Sequence, residues 1–261
     1  MTKPIKLSKE PKEVQVLTNA NLPMEVLSAG AGNEEIIASE IIIPRVLLMQ
    51  GLSDMVASRK AQQGDIVKSS GLVLGGPDSP VSFIPLTYNL TWSLMEQVGG
   101  KFEFRGSEHM TAQNIDLPFE YEEKGVTCRR VKTISLYALL PYDIDAEKQA
   151  LEAALKEGGL PDPSTALMPV LITFRSTGYT AGKQVLGHFA RAKKYNVRGY
   201  VSTMTLSCKQ EKNDKGSFYV FDVAHMGKTD NSYLSVCEEW YTILTSNKAK
   251  VVAEPEEHTE Y

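Results

Sequence analysis

The chain has 261 residues, 42% of them hydrophobic and 23% charged, with a formal net charge of −4. That composition suits an ordinary globular protein with a sizeable core. No apolar run reaches the ~18–20 residues that cross a bilayer, because Ile41 to Met49 is broken by Pro44 and Arg45, so no membrane partner is expected.

The cysteines Cys128, Cys208 and Cys237 fit neither a disulfide framework nor zinc-site spacing. His109, His188, His225 and His258 have no carboxylate or cysteine at ligand spacing. No metal and no cofactor is expected. The N-terminal MTKPIKLSKEPKE has charge without an apolar core after it, so it does not read as a signal peptide, and a cytoplasmic setting is the expectation.

Residues 1–35 are polar and contain the run SAGAGN, which predicts a flexible arm. Pro44 biases Ile43 toward extended backbone, with an irregular or helical piece before it and a packed segment after it. Gln62 to Val67 predicts a turn entering a strand, and the glycines and prolines of Gly71 to Pro80 predict a turn region. A long half-buried strand follows from Val81, with Phe83, Pro85, Thr87, Asn89 and Thr91 on one parity and Ile84, Leu86, Tyr88, Leu90 and Trp92 on the other. Pro85 places it at an edge or a bulge. Lys101 to Arg105 and Val126 to Tyr142 predict two further strands.

Asp145 reads as the N-cap of a helix over Ala146 to Glu157 that stops at Gly158-Gly159. Met168 to Arg175 predicts a strand. Ala181 to Lys194 predicts a helix with Val185, Leu186, Phe189 and Ala190 inward. The stretch from Gly178 to Gln184 has three residues between its glycines and Gln184 where a P-loop needs Ser or Thr, so it is not a nucleotide cradle. Val201 to Lys209 and Ser217 to Val223 flank the turn NDKG and predict a hairpin. Ser232 to Leu244 predicts an amphipathic helix with Trp240 toward the core. The tail from residue 248 to Tyr261 is acidic and reads as solvated.

Charge is unevenly distributed along this order. Met168 to Lys228 holds ten Lys/Arg against three acids, a local balance of +7 in a chain whose total is −4. Aromatic residues interleave with those bases, the combination that single-stranded nucleic acid requires.

On IPRVLLMQG with Gly64 to Val67, on VSFIPL from Val81, on Phe174 to Thr177 leading into the Lys183 helix, and on the hairpin from Val201 to Val223, the chain resembles the single-stranded DNA-binding proteins of tailed bacteriophages. The resemblance covers about residues 40 to 245. It implies an α+β, mainly β fold: an OB-fold-like antiparallel barrel with inserted helices and a C-terminal helix, at residues 36–247, between the arm at 1–35 and the acidic tail at 248–261. It implies a non-enzyme that holds single-stranded DNA in replication and recombination inside an infected bacterial cytoplasm. Phosphates are then expected to meet Arg129, Arg130, Lys132, Arg175, Lys183, Arg191, Lys193, Lys194 and Lys209, while Tyr88, Trp92, Phe104, Tyr179, Tyr200 and Tyr219 stack on bases. The tail residues Glu254, Glu256, Glu257, Glu260 and Tyr261 are expected to recruit replication or recombination proteins; homo-oligomerisation is left open.

Two other classes compete. The chain as a protein-binding factor without DNA affinity would use its tail and the Trp240 helix. A metal-dependent nuclease would use Asp143, Asp145 and a distant acid.

Overall fold

The structure is a computed structural model and describes residues 43–159, 166–214 and 216–246. Of these, 43–144, 167–214 and 216–246 form one compact unit, while 145–159 and Ala166 belong to a second. The expected N-terminal arm and acidic tail, with Glu254, Glu256, Glu257, Glu260 and Tyr261, lie outside the described residues.

The first unit is built on ten strands: β1 (Arg45–Leu48), β2 (Ile66–Lys68), β3 (Val73–Gly75), β4 (Val81–Val98), β5 (Lys101–His109), β6 (Glu120–Glu123), β7 (Val126–Leu139), β8 (Val170–Arg175), β9 (Ser202–Asn213) and β10 (Gly216–Lys228). Its helices are α1 (Asp54–Ala57), the first turn of α2 (Pro141–Lys156), α3 (Tyr179–Lys194) and α4 (Leu234–Thr245). The sheet order is β10-β9-β4-β7-β8-β1-β2-β3, with β5 added to the outer half of β4 and β6 to the start of β7. The protein is therefore mainly β with a few helices. The sheet is open, and β1 runs parallel to β8, so it departs from the expected closed antiparallel barrel. A parallel pair needs a long connection between its strands, and β2 to β7 lie between β1 and β8 in the chain.

Strand β4 organises the two cores. Ile84 pairs with Leu139 and Pro85 with Ala138, but Thr87 pairs with Tyr137, leaving Leu86 as the extra residue of a bulge. Pro85 has no N–H to give a ladder, which suits it to this position. The bulge inverts the parity of the strand. Ile84 and Leu86 pack with Leu139, Tyr200 and Cys237 and with Trp240 of α4, whereas Phe83 before the bulge and Tyr88 and Leu90 after it join the core on the α3 side. That second core contains Ile134, Leu136, Ile172, Phe174, Ala181 and Val185. The simple alternation expected along this strand therefore fails at Pro85.

Helix α3 starts at Tyr179 and buries Ala181, Gly182, Val185, His188 and Ala192. Ala190, expected inward, is exposed, and His188 and Ala192 take the inward stripe instead. Helix α2 starts at Pro141, one turn earlier than expected: proline needs no N–H at the first helical position, and the N–H groups of Asp143 and Ile144 bond the Leu140 carbonyl. Asp145 thus lies inside the helix and is not its N-cap. In the second unit the helix ends before Gly158, which takes φ 77°, and the N–H of Gly159 closes onto the Ala154 carbonyl.

Beyond Trp92, β4 continues with β5, β6 and the start of β7 as a four-stranded antiparallel arm in the order β5-β4-β7-β6. Leu94 pairs with Gly106 and Met95 with Phe104, so Arg105 is the bulged residue of β5. The sequence reading missed β3 and β6, and it ended β5 at Arg105, four residues early.

Candidate nucleic-acid interface

The residues expected to bind DNA fall in three places. The first is the arm. Trp92 is 2% exposed, and its indole N–H donates to the Asn114 carbonyl at 3.0 Å, so neither ring face is open to a base. Lys132 Nζ lies 5.2 Å from the centre of that ring, and the Arg130 guanidinium lies 3.5 Å over Tyr121. The Arg129 guanidinium sits 3.8 Å over Phe102 and 5.6 Å from Phe119, and its Nε meets Glu120 at 3.0 Å. Arg105 is clamped by Glu123 at 2.6 Å, which holds the Glu123 carboxyl below its ordinary range. Phe104 is exposed. Arg105, Arg129, Arg130 and Lys132 are thus each set against a ring or a carboxylate of the arm itself.

The second place is the β9–β10 hairpin. Lys209 lies 3.7 Å from Glu211 and 4.0 Å from Asp222. Tyr219 is half-buried; its backbone bonds Gln50 and its ring packs against Gly64.

The third place is α3 and the turn that follows it. Lys183, Arg191, Lys193, Lys194 and Arg198 lie between Tyr179 and Arg198 with no acidic residue among them, and all five are exposed. None forms an ion pair among the described residues, in contrast to Arg129 and Lys209. Tyr195, directly after Lys193-Lys194, is 71% exposed.

Local chemistry shapes this surface. The helix closes with Asn196 in the left-handed region at φ 54°, its N–H on the Lys193 carbonyl and the N–H of Val197 on the Ala192 carbonyl, a Schellman arrangement. The chain then runs back along the helix. Gly199 passes so close to Phe189 that an added Cβ would sit 2.2 Å from the ring. Between this return segment, β4 and α4 lies a groove of about 540 Å³ that includes Tyr88, Phe189, Lys193, Arg198 and Tyr241. Tyr88 packs against Phe189 with ring centroids 4.8 Å apart and the planes tilted by 51°, and Arg198 donates to the Tyr241 hydroxyl at 3.0 Å.

Of the remaining expected residues, Tyr179 is half-buried beside Lys183, whose Nζ is 5.6 Å from its ring, and burial pushes the Tyr179 phenol upward. Arg175 ends β8 opposite Thr133. Tyr200 is buried, with its phenol donating to Glu238, so it serves the core and not a base. The structure adds Tyr195, Arg198 and Tyr241 to the α3 surface. Tyr195 was legible as an aromatic residue directly following two lysines, whereas Tyr241 depends on how α4 packs.

Asp143 is bound by Lys68 at 2.8 Å, and Asp145 lies in the second unit. Among the described residues, no group of three His, Cys, Asp or Glu side chains could hold a metal ion, and no helix is long and apolar enough to cross a membrane.

The family model described as Pam3 phage gp34-like protein matches residues 15–250. No curated protein and no solved structure matches the chain. With the match extending over most of its length, the chain belongs to the Pam3 phage gp34-like protein family.

Proposed function

We propose that the protein binds single-stranded DNA without sequence specificity, through α3, its C-terminal turn and the groove beside them. The observation that carries this reading is the set of exposed cations Lys183, Arg191, Lys193, Lys194 and Arg198, free of ion pairs among the described residues, of which Lys193 and Arg198 line a groove with aromatic walls. A surface cation already matched by a carboxylate gains little from a phosphate, whereas an unmatched one releases counterions when it binds. Aromatic side chains beside such cations offer stacking at about 1–3 kcal/mol per base.

Membership of a phage family supports an infected bacterium as the setting; replication or recombination as the process, with the acidic tail recruiting partner proteins, belongs to the reading itself. The relation to tailed-phage single-stranded DNA-binding proteins and their OB-like barrel belongs to the same reading. The curl that brings Gln50 to Tyr219 favours it; the open sheet and the parallel β1–β8 pair weigh against it.

The test is a fluorescence-anisotropy titration of the full chain against a labelled single strand of about 30 nucleotides and the matching duplex, across salt concentrations. Tight binding to the single strand with a steep salt dependence supports the reading; no binding to the single strand at low salt overturns it. A second reading, a protein-binding factor, draws on Phe104, Ile115, Leu117 and Phe119, which are exposed on the arm and the loop preceding β6. It predicts no salt-sensitive DNA affinity.

A further inference from the structure

A second groove, of about 370 Å³, lies between the last turns of α3, the return segment and β10. Its polar lining is Arg191, Tyr195, Ser202, His188 and His225, with no carboxylate. His188 is 6% exposed, and its Nε2 is 2.8 Å from the Gly199 carbonyl. A carbonyl only accepts, so Nε2 carries the ring proton. Burial, with His225 and Arg191 nearby, pushes the titration of His188 downward. The exposed imidazole of His225 stands 6.4 Å from it, centroid to centroid.

One concave site thus gathers a guanidinium, a hydroxyl and a protonatable imidazole, and nothing negative lines it. Such a donor set fits a tetrahedral oxyanion. The carbonyl end of α3 opposes an anion with about half a charge, but Asn196 and Val197 occupy two of its carbonyls and Arg191, Lys193 and Lys194 lie in the last turn. The two grooves share Ala192 and Val197 and so adjoin.

We infer that the α3–β10 groove is a phosphate subsite, formed by Arg191, Ser202 and His225, for a phosphodiester of a strand whose neighbouring base enters the aromatic groove. This rests on the DNA-binding reading above and adds Ser202 and His225 to it. Because a phosphate favours the imidazolium over the neutral ring, binding takes up a proton, and affinity rises as pH falls. The groups facing His225 are His188, Arg191 and Tyr195 from α3 and its turn. Met204 stands opposite it on β9, and β10 carries Lys228 further along. None of these is acidic.

The experiment is anisotropy titration of the full chain with a labelled oligothymidylate at pH 7.5 and pH 5.5 at fixed salt, for the wild type, His225→Gln and Arg191→Gln, each checked for folding by circular dichroism at both pH values. The wild type should bind several-fold more tightly at pH 5.5. His225→Gln should weaken binding modestly at pH 7.5 and lose most of that gain at pH 5.5. Arg191→Gln should weaken binding several-fold at both pH values. A folded His225→Gln that keeps the full wild-type pH dependence overturns the subsite while leaving DNA binding intact. A wild type that binds at neither pH overturns the DNA reading itself, and the subsite with it.

Discussion

The side-chain amide of Gln50 pairs in both directions with the backbone of Tyr219: Nε2–H donates to the Tyr219 carbonyl at 2.8 Å, and Oε1 accepts from the Tyr219 N–H at 3.0 Å. Gln50 follows β1, and Tyr219 lies on β10, at the edge of the sheet. A side chain therefore supplies the ladder step that joins two parts of the sheet not paired as strands. Nearby, the Cys208 thiol donates to the Gly64 carbonyl, and the Tyr219 ring covers Gly64.

Removing this latch should cost stability. Gln50→Ala deletes two hydrogen bonds at a half-buried site and is expected to lower unfolding stability by about 1–2 kcal/mol. Gln50→Glu should cost more, because a carboxylate has no proton to give the Tyr219 carbonyl and sets a charge against it. Urea unfolding midpoints check both, and an unchanged midpoint in Gln50→Ala would remove the latch from the stability argument.

Gly182 tests how tightly α3 meets the sheet. A Cβ there would lie 2.6 Å from Ile134 Cδ1 and 2.8 Å from Phe174 Cβ, and the latter cannot move without its backbone. Replacing glycine by alanine in a helix gains about 1 kcal/mol of propensity, but overpacking costs about 1–3 kcal/mol. Gly182→Ala should therefore destabilise. Gly187→Ala, exposed and with no atom within 4 Å of the added Cβ, should stabilise instead. Thermal melts of the two variants should move in opposite directions.

This contrast also marks what the sequence could and could not carry. The long β4 strand, the hairpin at NDKG and the α3 and α4 helices follow from local pattern, because periodicity and turn chemistry act over a few residues. The parity of β4 did not survive, since one bulged residue at Pro85–Thr87 turns the apolar face over. Likewise the charge count found the basic segment, but it could not separate Lys209, matched by Glu211 and Asp222, from Lys193 and Lys194. That distinction depends on cross-strand neighbours brought together by the fold. Trp92 and Tyr200 look like stacking groups in sequence and are buried by tertiary packing.

The pairing of cations sets a prediction about DNA affinity. Lys193→Gln with Lys194→Gln should weaken single-strand binding and flatten the salt dependence, by about 0.7 in the log–log slope for each phosphate that is no longer neutralised. Arg129→Gln should leave both nearly unchanged and lower stability by up to about 1 kcal/mol, from its exposed cation–π and ion-pair interactions. Anisotropy across salt for both variants checks this. A larger effect in Arg129→Gln would move the interface to the arm.

The three cysteines should be inert in the folded protein. All are buried; burial pushes the Cys208 thiol up to about 11 and the Cys237 thiol up to about 12. Thiolate is the reactive form, so iodoacetamide at pH 8 should add no mass to the native chain and three adducts after denaturation, read by intact mass.

His188 sets the direction of a pH effect on stability. Its folded-state titration is pushed down, first by burial and then by the neighbouring His225 and Arg191, against the favourable bond to Gly199. In the unfolded chain a histidine titrates near ~6.5. Below that pH the unfolded state binds the proton first, so its stabilising contribution is complete above about 6.5, falls as pH drops, and levels off once the folded-state value is passed. Melting temperature should therefore decline between pH 7 and pH 5. His188→Gln, which can keep a donor on the Gly199 carbonyl without titrating, should be less stable at pH 7 because it repacks a buried ring, yet show a flatter decline. An equal decline in wild type and variant would assign the pH dependence to other groups.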